Sequence, residues 1–216
     1  MRLDLLTASS INGVITARRG ENADEVVAWL GPPRHVMERK YEIRRQHDAG
    51  LVGTGTVVVD NPTLTSHAVP GFPCVRITLD RQGRIPRHYR FFDGSARTLV
   101  GVCESTPGEY LDFLAERKVE AVVCGEDRID LRAFLSGLEE RGISSILCEG
   151  GGELNRSLFR QGLVDRVYLA VMPVVLDSGA PNLFEGPGPP VRLRLRDVVP
   201  QDEYVWLEYE VAREST

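Results

Sequence analysis

The residues with the clearest chemical potential form one run, Cys148-Glu149-Gly150-Gly151-Gly152-Glu153-Leu154, preceded by Ser145-Ile146-Leu147. An apolar stretch ending in an acid and three glycines, followed by Leu154, Leu158, Phe159 and Leu163 on one helical face, predicts a strand, a tight turn and a helix start. Glycines let a ligand approach the backbone closely. The first N–H groups of a helix and its positive dipole end favour an anion, and a phosphate fits that description well. Glu149, at the carboxyl end of the strand, presents a carboxylate at the same turn. A plain tight turn would also use glycine, so this run takes its meaning from the rest of the chain.

The remaining elements alternate. Strands are expected at residues 2–8, 50–53, 74–80, 97–103, 119–124 and 145–148, then at 165–175 with a break at Pro173, and at 204–211. Helices are expected at 23–30, capped by Asn22 or Asp24 and stopped by Gly31-Pro32-Pro33, and at 35–46, 107–117 and 130–141. Residues 56–59 are β-branched and read as either strand or short helix. The stretch 186–190 reads as a loop with strand-like sequence after it. This alternation predicts an α/β fold, a mostly parallel central sheet with antiparallel C-terminal edge strands, flanked by helices, as one domain over residues 1–216. Ligands in such sheets bind at the carboxyl ends of strands, which draws attention to residues 9–13, 53–60, 80–82 and 149–152. No G-x-G-x-x-G fingerprint stands near the start, so an ordinary Rossmann domain is not expected.

Composition narrows the function classes. The chain has 216 residues, 42% hydrophobic and 26% charged, with a net charge of −5. That balance fits a globular protein and gives no sign of nucleic-acid binding. The only basic cluster is Arg39, Lys40, Arg44 and Arg45. Cys74, Cys103, Cys124 and Cys148 form no CxxC pair, and no histidine stands at metal-ligand spacing. Buried free thiols in a reducing cytoplasm are expected, with no metal. No apolar stretch reaches membrane-spanning length, and no signal peptide is read at the start.

Four stretches, in this order, resemble the riboflavin-biosynthesis pyrimidine reductases, a family with a dihydrofolate-reductase-like fold. Ser10-Ile11-Asn12-Gly13 resembles its S-x-D/N-G turn. Residues 53–65, with Thr56, Asp60, Pro62 and Leu64, resemble its G-x-x-T-x-x-x-D-x-P-x-L segment. Arg76 and Asp80, with Arg84 and Pro86, resemble its R-x-x-x-D…R-x-P strand and turn. Glu149-Gly150-Gly151, with Leu154, Gly162-Leu163-Val164-Asp165 and Pro173, resembles its E-G-G…G-L-V-D…P ending. Together they span about residues 3–186.

The resemblance implies that NADPH, with NADH as an alternative donor, delivers a hydride to C1 of the ribosylamino group of a pyrimidine 5′-phosphate, opening the ribose to a ribityl chain. It implies a cytoplasmic homodimer acting on a small-molecule substrate. By matched position it implies that Thr7, Thr56, Asp60, Arg81 and the run Gly150, Gly151, Gly152, Glu153 and Leu154 contact the cofactor. Arg81 would lie at the adenosine end, where an arginine suits a 2′-phosphate. Asn22, Arg44, Leu64, His67 and Glu149 would contact the substrate, with Arg44 as a donor fork to its phosphate. Glu149 and Asn12 stand as the catalytic candidates. Many family members carry Asp where Asn12 stands and Lys or Arg where Val14 stands; Asn12 keeps the capacity to hydrogen-bond a ribose hydroxyl. No zinc-deaminase signature is present, which favours a standalone reductase that acts before deamination. The alternatives are the same reduction after deamination, a dihydrofolate or pteridine reductase, and a non-catalytic nucleotide-binding module.

Overall fold

The computed structural model describes residues 1–18, 20–64, 75–177, 179–183 and 190–212. The chain forms two compact units, one of residues 2–42 and 147–216, the other of Met1 and residues 43–146.

It begins with β1 (Arg2–Ser10) and α1 (Ala23–Leu30). Asn22 starts α1 in a capping box: its side chain accepts from Glu25 N, and the Glu25 carboxylate accepts from Asn22 N. Gly31 ends the helix in the left-handed region, at φ 59°. Next comes α2 (Arg34–Arg44), which starts one residue earlier than expected because the Pro33 carbonyl accepts from Val36 N and Met37 N in its first turn, and ends two residues earlier.

The chain then builds the unit of residues 43–146: β2 (Ala49–Gly53), α3 (Thr54–Asp60), β3 (Val75–Leu79), a short 3-10 turn Arg90–Phe92, β4 (Thr98–Val102), α4 (Gly108–Glu116), β5 (Glu120–Val123) and α5 (Leu131–Glu139). Its strands run in parallel in the order β5-β4-β3-β2. One apolar cluster within it is built on Val52, Val57, Leu64, Ile85, Phe91, Phe92, Val100, Tyr110 and Phe113. The β-branched run at 56–59 is helical. Gly53 caps α3, and Asn61 closes it in the left-handed region with its N–H on Val57 O. Those end signals outweigh the strand preference of valine.

Arg76 is buried on β3. It donates to Thr98 Oγ1, to the carbonyls of Thr63, Arg90 and Ala96, and to Asp93. A buried guanidinium is tolerable only when so satisfied. It therefore holds the ends of three loops at once.

β6 (Ser145–Cys148) leads back to the first unit, followed by α6 (Gly152–Arg160), β7 (Arg166–Met172), β8 (Leu193–Gln201) and β9 (Tyr204–Val211). There β1 pairs in parallel with β7, and β7, β9 and β8 pair antiparallel. The mostly parallel α/β architecture with antiparallel C-terminal strands is thus as expected. β8 is exposed along most of its length, with a register irregularity between Leu195 and Asp197.

Cys103, Cys124 and Cys148 are free and buried. Burial pushes the thiols of Cys124 and Cys148 up to about 12. They are packing residues, not nucleophiles. Cys74 lies outside the described residues.

Candidate active site

In the unit that contains β1 and α6, the glycine turn is an open helix start. Gly151 is the N-cap of α6, at φ −72° and ψ 179°, and no side chain caps the helix. Gly150 and Gly152 are buried, Glu149 is partly exposed and Glu153 is exposed. A Cβ on Gly150 would stand 2.7 Å from Leu154 Cδ2, so Leu154 folds back over the turn and braces it. An uncapped helix start after a glycine turn has the donor chemistry for a phosphate. Asn155, one turn into the same helix, is buried; its Nδ2 donates to Leu183 O at 3.3 Å and its Oδ1 has no hydrogen-bond partner among the described residues.

Thr7 lies inside β1, opposite Leu169, because the strand runs on to Ser10. Beyond Ser10 the turn is tightly bonded. Asn12 Oδ1 accepts from Ser10 Oγ at 2.8 Å and from Leu176 N at 3.1 Å, while Asn12 Nδ2 donates to Leu176 O at 2.7 Å. The carboxamide expected to meet a ribose hydroxyl is engaged with the chain itself. Asn22, expected at the substrate, spends its Oδ1 on the α1 cap. Beside it, buried Glu21 accepts from Ala17 N at 2.6 Å and from Trp29 Nε1 at 3.0 Å, fixing the loop before α1. Sequence reasoning missed Glu21; its polar setting in a loop gave no sign of a latch.

In the other unit, Asp80 ends β3 buried. Its carboxylate accepts from Arg84 N at 3.0 Å, Ile85 N at 2.9 Å and Tyr110 Oη at 3.1 Å. Burial, then the Asp80 charge, pushes the Tyr110 phenol well above its ordinary value. Gly83, at φ 65°, lies so close to the Tyr110 ring that a Cβ there would meet Cγ at 2.9 Å. Thr106 Oγ1 donates to Arg81 O at 2.9 Å. The turn is rigid and leaves the Arg81 side chain exposed. Thr56 and Asp60 are partly exposed on α3, and Arg44 is partly exposed at the end of α2. Leu64 is buried in the apolar cluster with φ 47°. Asn61 fixes the segment before it, its Oδ1 accepting from Arg90 N and its carbonyl from Arg90 Nε. His67 lies outside the described residues.

The fold is that of dihydrofolate-reductase-like α/β proteins. A pyrimidine reductase-like protein from Corynebacterium diphtheriae matches with a TM-score of 0.81 at 19% identity, covering 99% of this chain and 92% of that one. A dihydrofolate reductase from Enterococcus faecalis, in complex with NADP(H), matches with a TM-score of 0.52 at 14% identity, covering 98% and 97%. The chain belongs to the RibD C-terminal domain family, whose model matches residues 3–206. It is 38% identical over 184 residues to the 2,5-diamino-6-ribosylamino-4(3H)-pyrimidinone 5′-phosphate reductase of Methanothermobacter thermautotrophicus, covering 81% of this chain and 85% of the relative.

Proposed function

We propose that the chain is a reductase of riboflavin biosynthesis. It converts the ribosylamino group of 2,5-diamino-6-ribosylamino-4(3H)-pyrimidinone 5′-phosphate to the ribitylamino group, with NADPH as donor. What carries this reading is the likeness to a reductase of that name over most of both chains. The uncapped glycine start of α6, with Glu149 beside it, supports it.

The bound dinucleotide supplies a hydride to the sugar C1′. For the reaction to balance, the C1′–O4′ bond breaks, C1′ gains that hydride and the ring oxygen gains a proton. The chain's residues bind, orient and supply hydrogen bonds. The N–H groups at the start of α6, from Gly152, Glu153 and Leu154, hold a cofactor phosphate; Gly150 makes room for the Leu154 side chain that braces the turn, and Gly151 leads the backbone into the helix. Arg81, on its rigid turn, takes the 2′-phosphate of NADPH. Thr7, Thr56 and Asp60 complete the cofactor contacts. Glu149 accepts a hydrogen bond from the substrate, and Arg44, Asn22, Leu64 and His67 serve the substrate side. We assign the whole chain to one reductase domain that works in the cytoplasm as a homodimer. The exposed Leu193, Leu195 and Val198 of β8 are apolar surface suited to such an interface.

The test is label transfer. The protein is incubated with NADPH carrying deuterium at the transferable C4 position and, separately, with the diamino-pyrimidine phosphate and its deaminated uracil counterpart. The expected result is one deuterium at C1′ of the ribityl product, formed faster from the diamino compound. Faster labelling of the uracil compound would place reduction after deamination. Labelling of neither would reject the proposed activity.

A further inference from the structure

We infer that Asn12 is a positioning residue, a clamp that fastens residues 174–177 and 179–183 across the turn after β1. This inference rests on the reductase reading only for its kinetic consequence; the clamp itself is geometric.

The turn of residues 10–15 and the later segment are sewn together along their length. Ile11 N donates to Val174 O at 3.0 Å, Leu183 N to Gly13 O at 3.0 Å, and Ile15 N to Pro181 O at 2.9 Å. Val14 and Asn182 form an antiparallel bridge. Position 12 has a different kind of link. Its carboxamide both accepts from and donates to the backbone of Leu176, as a neighbouring strand residue would. Ser10 completes the arrangement: its hydroxyl donates to Asn12 Oδ1 at 2.8 Å and accepts from Val14 N at 3.0 Å. The side chain thus replaces a rung of backbone pairing in the middle of the strap.

This geometry dictates the residue type. Leu176 O can only accept, so the atom 2.7 Å from it must be a donor. Leu176 N and the Ser10 hydroxyl both need an acceptor. Only an amide of this length meets all three demands. An aspartate would keep the two acceptor contacts and set a carboxylate oxygen against a carbonyl oxygen. The far end of the strap reaches α6, through Asn155 Nδ2 on Leu183 O. Asn12 is thereby linked to the helix whose start is assigned to the cofactor phosphate, without itself touching a ligand.

The two roles open to position 12 differ in outcome. If it were a substrate contact, Asn12→Ala would raise KM and leave exchange at Leu176 unchanged. If it is a clamp, Asn12→Asp loosens the strap, leaves kcat no higher and raises KM. The experiment measures amide hydrogen exchange and steady-state kinetics of the intact protein and of Asn12→Asp at neutral pH. Asn12→Ala gives a second, uncharged reading of the same quantities. The clamp predicts exchange at Leu176 and its strap neighbours faster by on the order of tenfold in Asn12→Ala, as expected for loss of a net-favourable hydrogen bond, and a smaller rise in Asn12→Asp, which keeps an acceptor for the Leu176 N–H. Exchange in β7 and β9 stays unchanged, which shows that the variants are folded. Unchanged exchange at Leu176 in Asn12→Ala, or a kcat of Asn12→Asp above that of the unchanged enzyme, overturns the inference. If the unchanged enzyme reduces no pyrimidine substrate, the proposed function fails, while the exchange data still decide the clamp.

Discussion

After β3 the chain turns on Asp80, and both carboxylate oxygens are consumed by the chain: two backbone N–H groups and the Tyr110 hydroxyl. After β6 it turns on Gly150 and Gly151, and no side-chain hydrogen bond caps the helix start that follows among the described residues. Both turns are braced from one side, the first by the Tyr110 ring against Gly83 and the second by Leu154 against Gly150. They differ in what remains to be used. The Asp80 turn satisfies its own polar groups and holds out one exposed arginine. The glycine turn holds out backbone donors and Glu149. An acid in a strand-end turn can therefore be architecture or chemistry, and burial separates the two here. Asp80 is buried with both oxygens engaged, whereas Glu149 is partly exposed.

Breaking each turn should then have opposite consequences for stability and function. The largest effect is expected at Asp80→Ala, which strands the Ile85 N–H and the Tyr110 hydroxyl in a buried setting. A loss of about 3 kcal/mol is expected, or a Tm lowered by about 6–12 °C, read by calorimetry. A change of under 1 °C or so would mean that Asp80 does not carry the turn. Glu149→Gln should leave Tm almost unchanged and lower kcat by about tenfold to a hundredfold, the loss expected for one hydrogen bond to a charged group. A comparable fall in Tm would erase the contrast. Arg81→Ala should weaken NADPH by about tenfold, a typical loss for one charge-assisted contact, and narrow the preference over NADH. An unchanged preference would move the 2′-phosphate elsewhere.

The smallest effect concerns acid. Asp48 accepts from the Ser144 hydroxyl, Ser144 N and Ser145 N, and the Ser144 hydroxyl is the leading cause that holds its carboxyl below the usual value of 3.8. Its folded pKa lies below the unfolded one. The stabilisation is therefore complete above the unfolded value and is lost as pH falls through the folded value. Asn at position 48 should cost about 1 kcal/mol at neutral pH and make unfolding less steep below about pH 4. Equal acid dependence in both proteins would remove Asp48 from that role.

Much of this organisation is written locally. The bounds of α1, β6 and β9 are legible to the residue: Asn22 with Glu25 marks one end of α1 and Gly31 the other, and an apolar run ending in glycines marks β6. α3 was legible only as a choice, because valines favour strands while the decisive signals, Gly53 and Asn61, lie outside the run. β8 is legible only as strand-like sequence, although Val191-Arg192-Leu193-Arg194-Leu195-Arg196 alternates strictly; the pattern breaks at Asp197, where the register also shifts. At the site, the glycine turn announced itself by composition. The occupation of Asn12 did not, because its partner Leu176 lies 164 residues away in sequence. The architectural role of Arg76 was hidden likewise, because its carbonyl and hydroxyl partners lie on segments brought together by the fold; that of Asp80 was hidden in part, since Arg84 N and Ile85 N belong to its own turn while Tyr110 comes from α4.

The most direct measurement is the steady-state rate of NADPH oxidation with three substrates side by side: the diamino-pyrimidine phosphate, its deaminated counterpart and dihydrofolate. The diamino compound should give the highest kcat/KM, and Glu149→Gln should lower that value without a matching loss of Tm. Turnover of dihydrofolate in preference to both pyrimidines would contradict the proposed function.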